Sequence, residues 1–323
     1  MQILVMGGAG YIGSHTVRHL LDEGHQVVVV DNLVTGHQAA VDPRAVFRKG
    51  DLAEVASLQK VFAEFNFDAV IHFAAFAYVG ESVRDPAKYY LNNVAGTLNL
   101  LEVMRQFKVL KLVFSSTCAT YGEPQKVPLT EDHPQHPINP YGASKLMIER
   151  VMADYATAYG LRYIALRYFN AAGAAADGRI GESHDPETHL IPLVLQTIKG
   201  VREKILVFGN DYPTPDGTCV RDYIHVEDLA TAHALALQKL EEFCGYVNLG
   251  TGVGVSVAEI IQAAEEVTGK KCPQEIAPRR PGDPATLLAD HAKAQAVLGF
   301  RPKYLDIKKI IATAWAWENH RRY

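Results

Sequence analysis

Tyr141 and Lys145 stand four residues apart in the segment Asn139-Pro-Tyr-Gly-Ala-Ser-Lys145. On a helix that spacing puts both side chains on one face. A free tyrosine, with a pKa of about 10, is a poor base at neutral pH. A neighbouring ammonium favours the phenolate and lowers that pKa, which makes the pair suited to moving a proton. Pro140 falls at the expected helix start, where proline is tolerated. Upstream, Ser115-Ser116-Thr117 offers hydroxyls that can bond an oxygen undergoing oxidation and relay its proton. Such a cluster also caps helices, which accounts for one of the three, and we assign the functional role to Thr117. Y-x-x-x-K by itself also occurs on ordinary solvated helix faces, so its meaning depends on what surrounds it.

A second constellation supplies that context. Residues 7–13 read Gly-Gly-Ala-Gly-Tyr-Ile-Gly, between a strand-like run and a helical pattern. Gly8, Gly10 and Gly13 fit G-x-G-x-x-G, and Gly7, Gly10 and Gly13 fit G-x-x-G-x-x-G. Glycines at these places permit a tight turn and close approach of the backbone to a pyrophosphate, which the helix N-terminus then attracts. Asp31 ends the second expected strand, about 20 residues on, where a carboxylate can bond the adenosine ribose. A carboxylate there repels the extra phosphate of NADP, so the expected cofactor is NAD. Asp51, after the third strand, is placed to contact the adenine or to act as a helix N-cap. Phe73-Ala74-Ala75, after the fourth, lets the backbone lie against a cofactor or simply packs tightly.

These residues must be held by a particular framework. Candidate strands are Gln2–Met6, Gln26–Asp31, Ala45–Lys49, Ala69–Phe73, Leu110–Ser115 and Arg162–Arg167. Helical patterns lie between them at Ile12–Glu23, Val55–Phe65, Ala87–Phe107 and Tyr141–Tyr159. Alternation of this kind predicts an α/β fold, a Rossmann-type doubly wound parallel sheet, with a smaller C-terminal α/β substrate domain. The domains are expected at 1–168, binding NAD and carrying the catalytic residues, and 169–323. Residues 171–188 and 209–222 read as functional loops, and Tyr246–Gly250 as a strand that rejoins the main sheet.

Composition narrows the partners. A net charge of -4 over 323 residues gives no basic footprint for nucleic acid. No apolar run is long enough to span a bilayer, and no leader pattern precedes Gln2. Four scattered cysteines read as free thiols in a reducing cytoplasm. His133 and His136 lie in a Pro-rich loop, no H-x-x-x-H pattern accompanies carboxylates, and no metal site is expected.

With these motifs in place the chain resembles the extended short-chain dehydrogenase/reductases, in particular the branch that epimerises UDP-hexoses at C4. The resemblance rests on Gly7–His15, Asp31-Asn-Leu33, Tyr89-Tyr-Leu-Asn-Asn-Val94, Phe114–Thr117, Asn139–Lys145 and Arg167-Tyr-Phe-Asn170. It continues through Phe208–Thr214, Asp216–His225 and Arg279-Arg-Pro-Gly-Asp283, segments that generic dehydrogenases lack. It implies NAD contacts from Tyr11, Ile12, Asp31, Asn32, Asp51, Leu52, Phe73, Asn92, Lys145 and Phe169. It implies a UDP-sugar site at Asn170, His189, Leu190, Phe208, Arg221, Tyr223, Arg280 and Asp283, together with Thr117 and Tyr141. Arg221 and Arg280 carry forked donors suited to a diphosphate, although a lone arginine more often makes a surface ion pair.

The implied reaction interconverts UDP-glucose and UDP-galactose. Tyr141 takes the 4-hydroxyl proton, NAD takes hydride from C4, the 4-keto sugar turns, and hydride returns to the other face. A homodimer pairing the helices around Ala87–Phe107 and Tyr141–Tyr159 is implied as well; the sequence shows only that they are amphipathic. Thr117, Ala77 and His189 depart from many relatives, which carry serine, lysine and asparagine there. Leu287 falls where relatives vary the side chain beside the sugar's 2-substituent. N-acetylhexosamine, pentose or uronic UDP-sugars are alternative substrates, and a silent NAD-sensing protein is the alternative of another class. A 4,6-dehydratase needs an acid and a base after the strand-end threonine, where Cys118 and Ala119 stand.

Overall fold

The computed structural model describes residues 1–280 and 282–323; Pro281, inside the Arg279–Asp283 segment, lies outside the described residues. The strands are β1 (Gln2–Met6), β2 (Gln26–Asp31), β3 (Val46–Lys49), β4 (Ala69–His72), β5 (Lys111–Thr117), β6 (Arg162–Tyr168), β7 (Asn170–Ala172), β8 (Ile205–Phe208), β9 (Val220–His225), β10 (Gly245–Leu249), β11 (Gly254–Ser256), β12 (Gln274–Ala277) and β13 (Thr286–Leu287). The helices are α1 (Tyr11–Asp22), α2 (Val55–Glu64), α3 (Val79–Arg84), α4 (Pro86–Tyr89), α5 (Gly96–Gln106), α6 (Pro140–Tyr159), α7 (Leu190–Ile198), α8 (Val226–Lys239), α9 (Val257–Thr268), α10 (Ala292–Leu298) and α11 (Ile307–Asn319).

Seven strands form one parallel sheet in the order β10-β6-β5-β4-β1-β2-β3. The apolar runs explain its burial. Along β2, Val27 and Val29 join the core beneath α1 and α8, while Val28 and Val30 join the core beneath α2, α5 and α6. Ile3 and Val5 divide from Leu4 and Met6 in the same way along β1. Side chains alternate across a strand, so a run without polar interruptions serves two apolar faces at once. The strand order reverses between β1 and β4, and a ligand crevice forms outside the carboxyl ends of the strands at such a switch point.

The later part of the chain is interleaved with the earlier. β10, near the strand expected at Tyr246–Gly250, pairs with β6, and α8 lies against α1. A separate core joins α7, α9 and α11 to β8 through residues such as Val194, Leu195, Val207, Ile260 and Ile311. A small sheet is centred on β9, which pairs with β7, β11 and β13.

Three expectations are corrected. The helix expected over Ala87–Phe107 is interrupted by a wide π-helical stretch, Tyr90–Ala95, between α4 and α5. Inside it, the Asn93 amide accepts from Phe76 N–H at 2.9 Å and donates to the Phe76 carbonyl at 3.0 Å, tying the helix to the segment after β4. Asp51 does not cap α2, whose N-cap is Glu54; its carboxylate accepts from Ala53 N–H and the Asn32 amide, each at 2.8 Å. The loops expected over 171–188 and 209–222 are partly strand, in β7 and β9, because backbone pairing there is long-range and leaves little local pattern.

Candidate active site

The glycine loop shows how its residues divide. Gly7 has φ +78°, and a Cβ there would stand 2.6 Å from Ala74 N. A Cβ on Gly13 would stand 2.2 Å from the Gly7 carbonyl oxygen. Both positions therefore need glycine for the turn and the helix to close up. A Cβ on Gly8 would meet the Val29 and Val17 side chains, so Gly8 serves packing. Gly10 differs: an added Cβ would meet only the Gly7 carbonyl oxygen, at 3.4 Å. The fold has room for a side chain at Gly10, yet Gly10 fronts the cleft as the N-cap of α1, which no side chain caps. Exposed backbone N–H groups at a helix start fit a pyrophosphate.

That cleft has a volume of about 300 Å³. All the residues expected to bind the cofactor line it: Gly7, Gly10, Tyr11, Ile12, Gly13, Asp31, Asn32, Asp51, Leu52, Phe73, Ala74, Ala75, Asn92, Thr117, Tyr141, Lys145 and Phe169. Asp31 is fixed by Ala9 N–H at 2.9 Å and Leu33 N–H at 2.8 Å, and burial raises its pKa from the ordinary value. These residues fit a dinucleotide. The Gly10→Ala variant is expected to keep the parent's circular dichroism spectrum and to lose NAD affinity roughly tenfold or more, about 1.4 kcal/mol. NAD content equal to the parent's would contradict the assignment.

Thr117, Tyr141 and Lys145 line this cleft together, where β5 and α6 pack against each other. α6 starts cleanly because the Asn139 side chain accepts from Gly142 N–H at 2.8 Å and Pro140 occupies the first turn. Strand alternation separates the hydroxyl cluster. Ser115 and Thr117 face the cleft, whereas Ser116 points to the other side and donates to Glu149 at 2.6 Å. Thr117 also caps the short turn that follows, accepting from Ala119 N–H at 3.1 Å. Lys145 Nζ donates to the Ser115 carbonyl at 2.8 Å, and burial lowers its pKa to about 7, against an opposing pull from Glu149. Burial, then Tyr168, pushes the Tyr141 pKa well above its ordinary value, and the Thr117 hydroxyl pulls the other way. The protein's own groups thus hold Tyr141 as a neutral phenol; the Lys145 ammonium anticipated from spacing is weakened by burial.

Behind the cleft lies a support that sequence reading missed. Arg167 on β6 and Glu149 on α6 form a buried two-pronged ion pair, with Nε–Oε1 at 2.9 Å and Nη2–Oε2 at 2.5 Å. Arg167 also donates to the Tyr121 hydroxyl at 2.9 Å, which donates to Asn248 on β10 at 2.6 Å. Tyr141, Lys145 and Glu149 follow one another at four-residue steps along α6. The pair therefore anchors the helix face that carries Tyr141 and Lys145.

A second cleft, of about 240 Å³, opens between β9 and α7. Asn170, His189, Leu190, Phe208, Arg221, Tyr223, Arg280 and Asp283 all line it, and Asn170, Ala171 and His189 line both clefts. Arg221 is largely buried, and its ion pair is with another residue of the cleft wall. It donates to Asp283 at 3.0 Å and to the Val220 and Pro284 carbonyls at 2.9 and 2.8 Å. The Arg280 guanidinium lies 3.9 Å from the centre of the Phe208 ring. Leu287 packs with Tyr121, Leu129 and Phe169 and is not on the lining of either cleft, while Ala77 sits exposed at the rim of the first. Glu182 and His184 also face the first cleft and were not anticipated, because they lie in an irregular loop. His184 and His189 stand against Glu182 and Glu187. Burial disfavours both imidazolium ions, but the two carboxylates outweigh it and raise their pKa values to about 9 and about 10.

Two clefts that share a wall, one shaped for a dinucleotide and one rich in arginine, define the Rossmann-fold class of enzymes that work on a substrate beside a bound dinucleotide. The chain belongs to the NAD dependent epimerase/dehydratase family, which it matches over residues 3–250, and its cofactor is NAD. It is 57% identical to a UDP-glucose 4-epimerase of Streptococcus mutans, covering 99% of this chain and 97% of that one. The crystal structure of a UDP-glucose 4-epimerase from Brucella ovis in complex with NAD is 54% identical, with a TM-score of 0.95 over 97% of each chain. A UDP-glucose 4-epimerase from Bifidobacterium longum, in complex with NAD+ and UDP, is 41% identical, with a TM-score of 0.95 over 99% of each chain. Among the described residues no helix is long and apolar enough to cross a membrane.

Proposed function

We propose that this protein interconverts UDP-glucose and UDP-galactose by epimerisation at C4, with NAD retained through the cycle. The observation that carries the reading is the shared wall of the two clefts, with Tyr141 and Thr117 on one side of it and Arg221 and Arg280 on the other. NAD, when bound, supplies the hydride acceptor and later donor for C4, and its charged ring adds the positive charge that favours the Tyr141 phenolate.

The chain's own residues do the rest. Gly7, Gly10 and Gly13 with the start of α1 hold the pyrophosphate, and Asp31 and Asp51 orient the adenosine. Tyr141 accepts the proton of the sugar's 4-hydroxyl and gives it back after the sugar has turned. Thr117 bonds the same oxygen, and Lys145 steadies the Tyr141 end of the site. Arg221 and Arg280 grip the diphosphate, which leaves the sugar free to present either face. Asn170, His189, Leu190, Phe208, Tyr223 and Asp283 complete the nucleotide-sugar site. On this reading residues 1–168 bind NAD and residues 169–323 mainly bind the UDP-sugar.

Exposed Leu91, Leu98 and Met147, on the helical run before β5 and on α6, support pairing of these helices between two copies in a homodimer. Four unpaired cysteines support a reducing, cytoplasmic setting. The test is to mix the purified protein with UDP-galactose and no added cofactor. UDP-glucose is the expected product. No conversion by folded protein, even with NAD added, would overturn the reading.

A further inference from the structure

We propose that Glu182, His184, Glu187 and His189 form a binding site for one divalent transition-metal ion of the zinc class, where the two clefts meet. The four residues lie in the loop between β7 and α7 in the spacing E-x-H-x-x-E-x-H. Each offers one ligand atom, and these atoms lie within 4.8 Å of one another. His189 Nδ1 is 2.8 Å from Glu182 Oε1 and 3.0 Å from Glu187 Oε1. His184 Nδ1 is 3.1 Å from Glu182 Oε1 and 3.7 Å from Glu187 Oε2. A tetrahedral zinc ion with bonds of about 2.0–2.2 Å needs donors spaced at about 3.3–3.6 Å, and the imidazole spacings to Glu182 Oε1 and Glu187 Oε2, from 2.8 to 3.7 Å, straddle that range. Two imidazoles with two carboxylates are a donor set suited to zinc.

A second observation points to a ligand. Glu187 Oε2 is buried with no hydrogen-bond partner, although it faces the cluster. The Glu187 side chain is only 4% exposed. Its other oxygen is fully used, accepting from the Thr188 and His189 N–H groups at 2.7 and 2.8 Å. A buried carboxylate oxygen left without a donor is costly, and a cation resolves it. Charge agrees as well. The two carboxylates of the cluster call for two positive charges, which a divalent ion supplies.

The loop is also held firmly. The Gly181 N–H donates to the Tyr323 hydroxyl at 3.1 Å, the Trp317 indole donates to the Glu182 carbonyl at 2.8 Å, and His37 Nε2 lies 3.1 Å from the Ser183 carbonyl. A preformed, supported donor set is what a metal site requires. The sequence pattern did not flag it because the donors fall on irregular backbone rather than on one helix face. The proposal does not depend on which nucleotide sugar is turned over.

The test is calorimetric titration of chelator-treated full-length enzyme, with its resident NAD, using ZnCl2, and a parallel titration with CoCl2 followed by visible absorption. One zinc per chain and a four-coordinate cobalt spectrum are expected. Glu187→Gln and His184→Gln should each weaken zinc binding at least roughly tenfold while circular dichroism stays at the parent's and, for Glu187→Gln, which lies off the cofactor cleft, NAD content does too. A second measurement needs no variant: zinc should protect His184 and His189 of the parent protein from diethylpyrocarbonate, read by peptide mapping. No saturable binding, zinc affinity unchanged in both variants, thiolate-to-cobalt charge-transfer bands or absence of protection would each overturn the site, leaving an ion-pair clasp that orders the loop.

Discussion

Replacing Tyr141 with phenylalanine is expected to lower kcat by about 10²–10⁴-fold, with the fold and the NAD content unchanged. The phenol ring contributes packing that phenylalanine keeps, since Tyr141 meets Tyr89 edge-on with ring centres 6.5 Å apart. What disappears is the only acid–base hydroxyl on the α6 wall of the cleft that Lys145 shares. Thr117 remains, but an unperturbed aliphatic hydroxyl cannot hold the proton that must leave the sugar. The measurement is conversion of UDP-galactose by parent and variant at equal NAD content. Activity within about threefold of the parent's, well short of the usual acid–base contribution, would remove Tyr141 from its role.

The second large effect is on stability. Glu149→Leu is expected to cost about 3–5 kcal/mol, because it leaves a buried guanidinium without its carboxylate. The Arg167 side chain is 0% exposed and Glu149 2%, so water cannot substitute for the lost partner. Adding Arg167→Met should recover most of that loss, since an apolar pair of similar volume avoids the desolvation of both charges. Urea unfolding of the parent, the single variant and the double variant measures the cycle. A Glu149→Leu protein within about 1 kcal/mol of the parent, the range of an exposed pair, would show that the pair does not anchor α6. Activity should fall along with stability, because Glu149 is one helical turn from Lys145 and opposes the lowering of its pKa.

The two effects separate what local sequence conveys from what it does not. The valine run of β2 and the glycines before α1 were legible because each expresses a local need: burial on two faces, or a turn closer than a Cβ permits. Resemblance named residues that the structure places on the lining of the two clefts, down to Phe208 and Arg280. The interruption at Tyr90–Ala95 was not, since one extra residue per turn barely disturbs a helical hydrophobic pattern over this length. Nor was the Arg167–Glu149–Tyr121–Asn248 network, whose members come from four parts of the chain and meet only after the sheet has formed. Burial itself also escaped the sequence. Spacing puts Lys145 beside Tyr141; burial of both side chains opposes the charged forms that activation needs.

The most direct test of the central claim uses UDP-galactose carrying deuterium at C4, incubated with the purified protein in ordinary water without added NAD. If hydride leaves and returns within one site, the UDP-glucose formed keeps its deuterium at C4. Loss of the label to solvent during conversion would contradict the account.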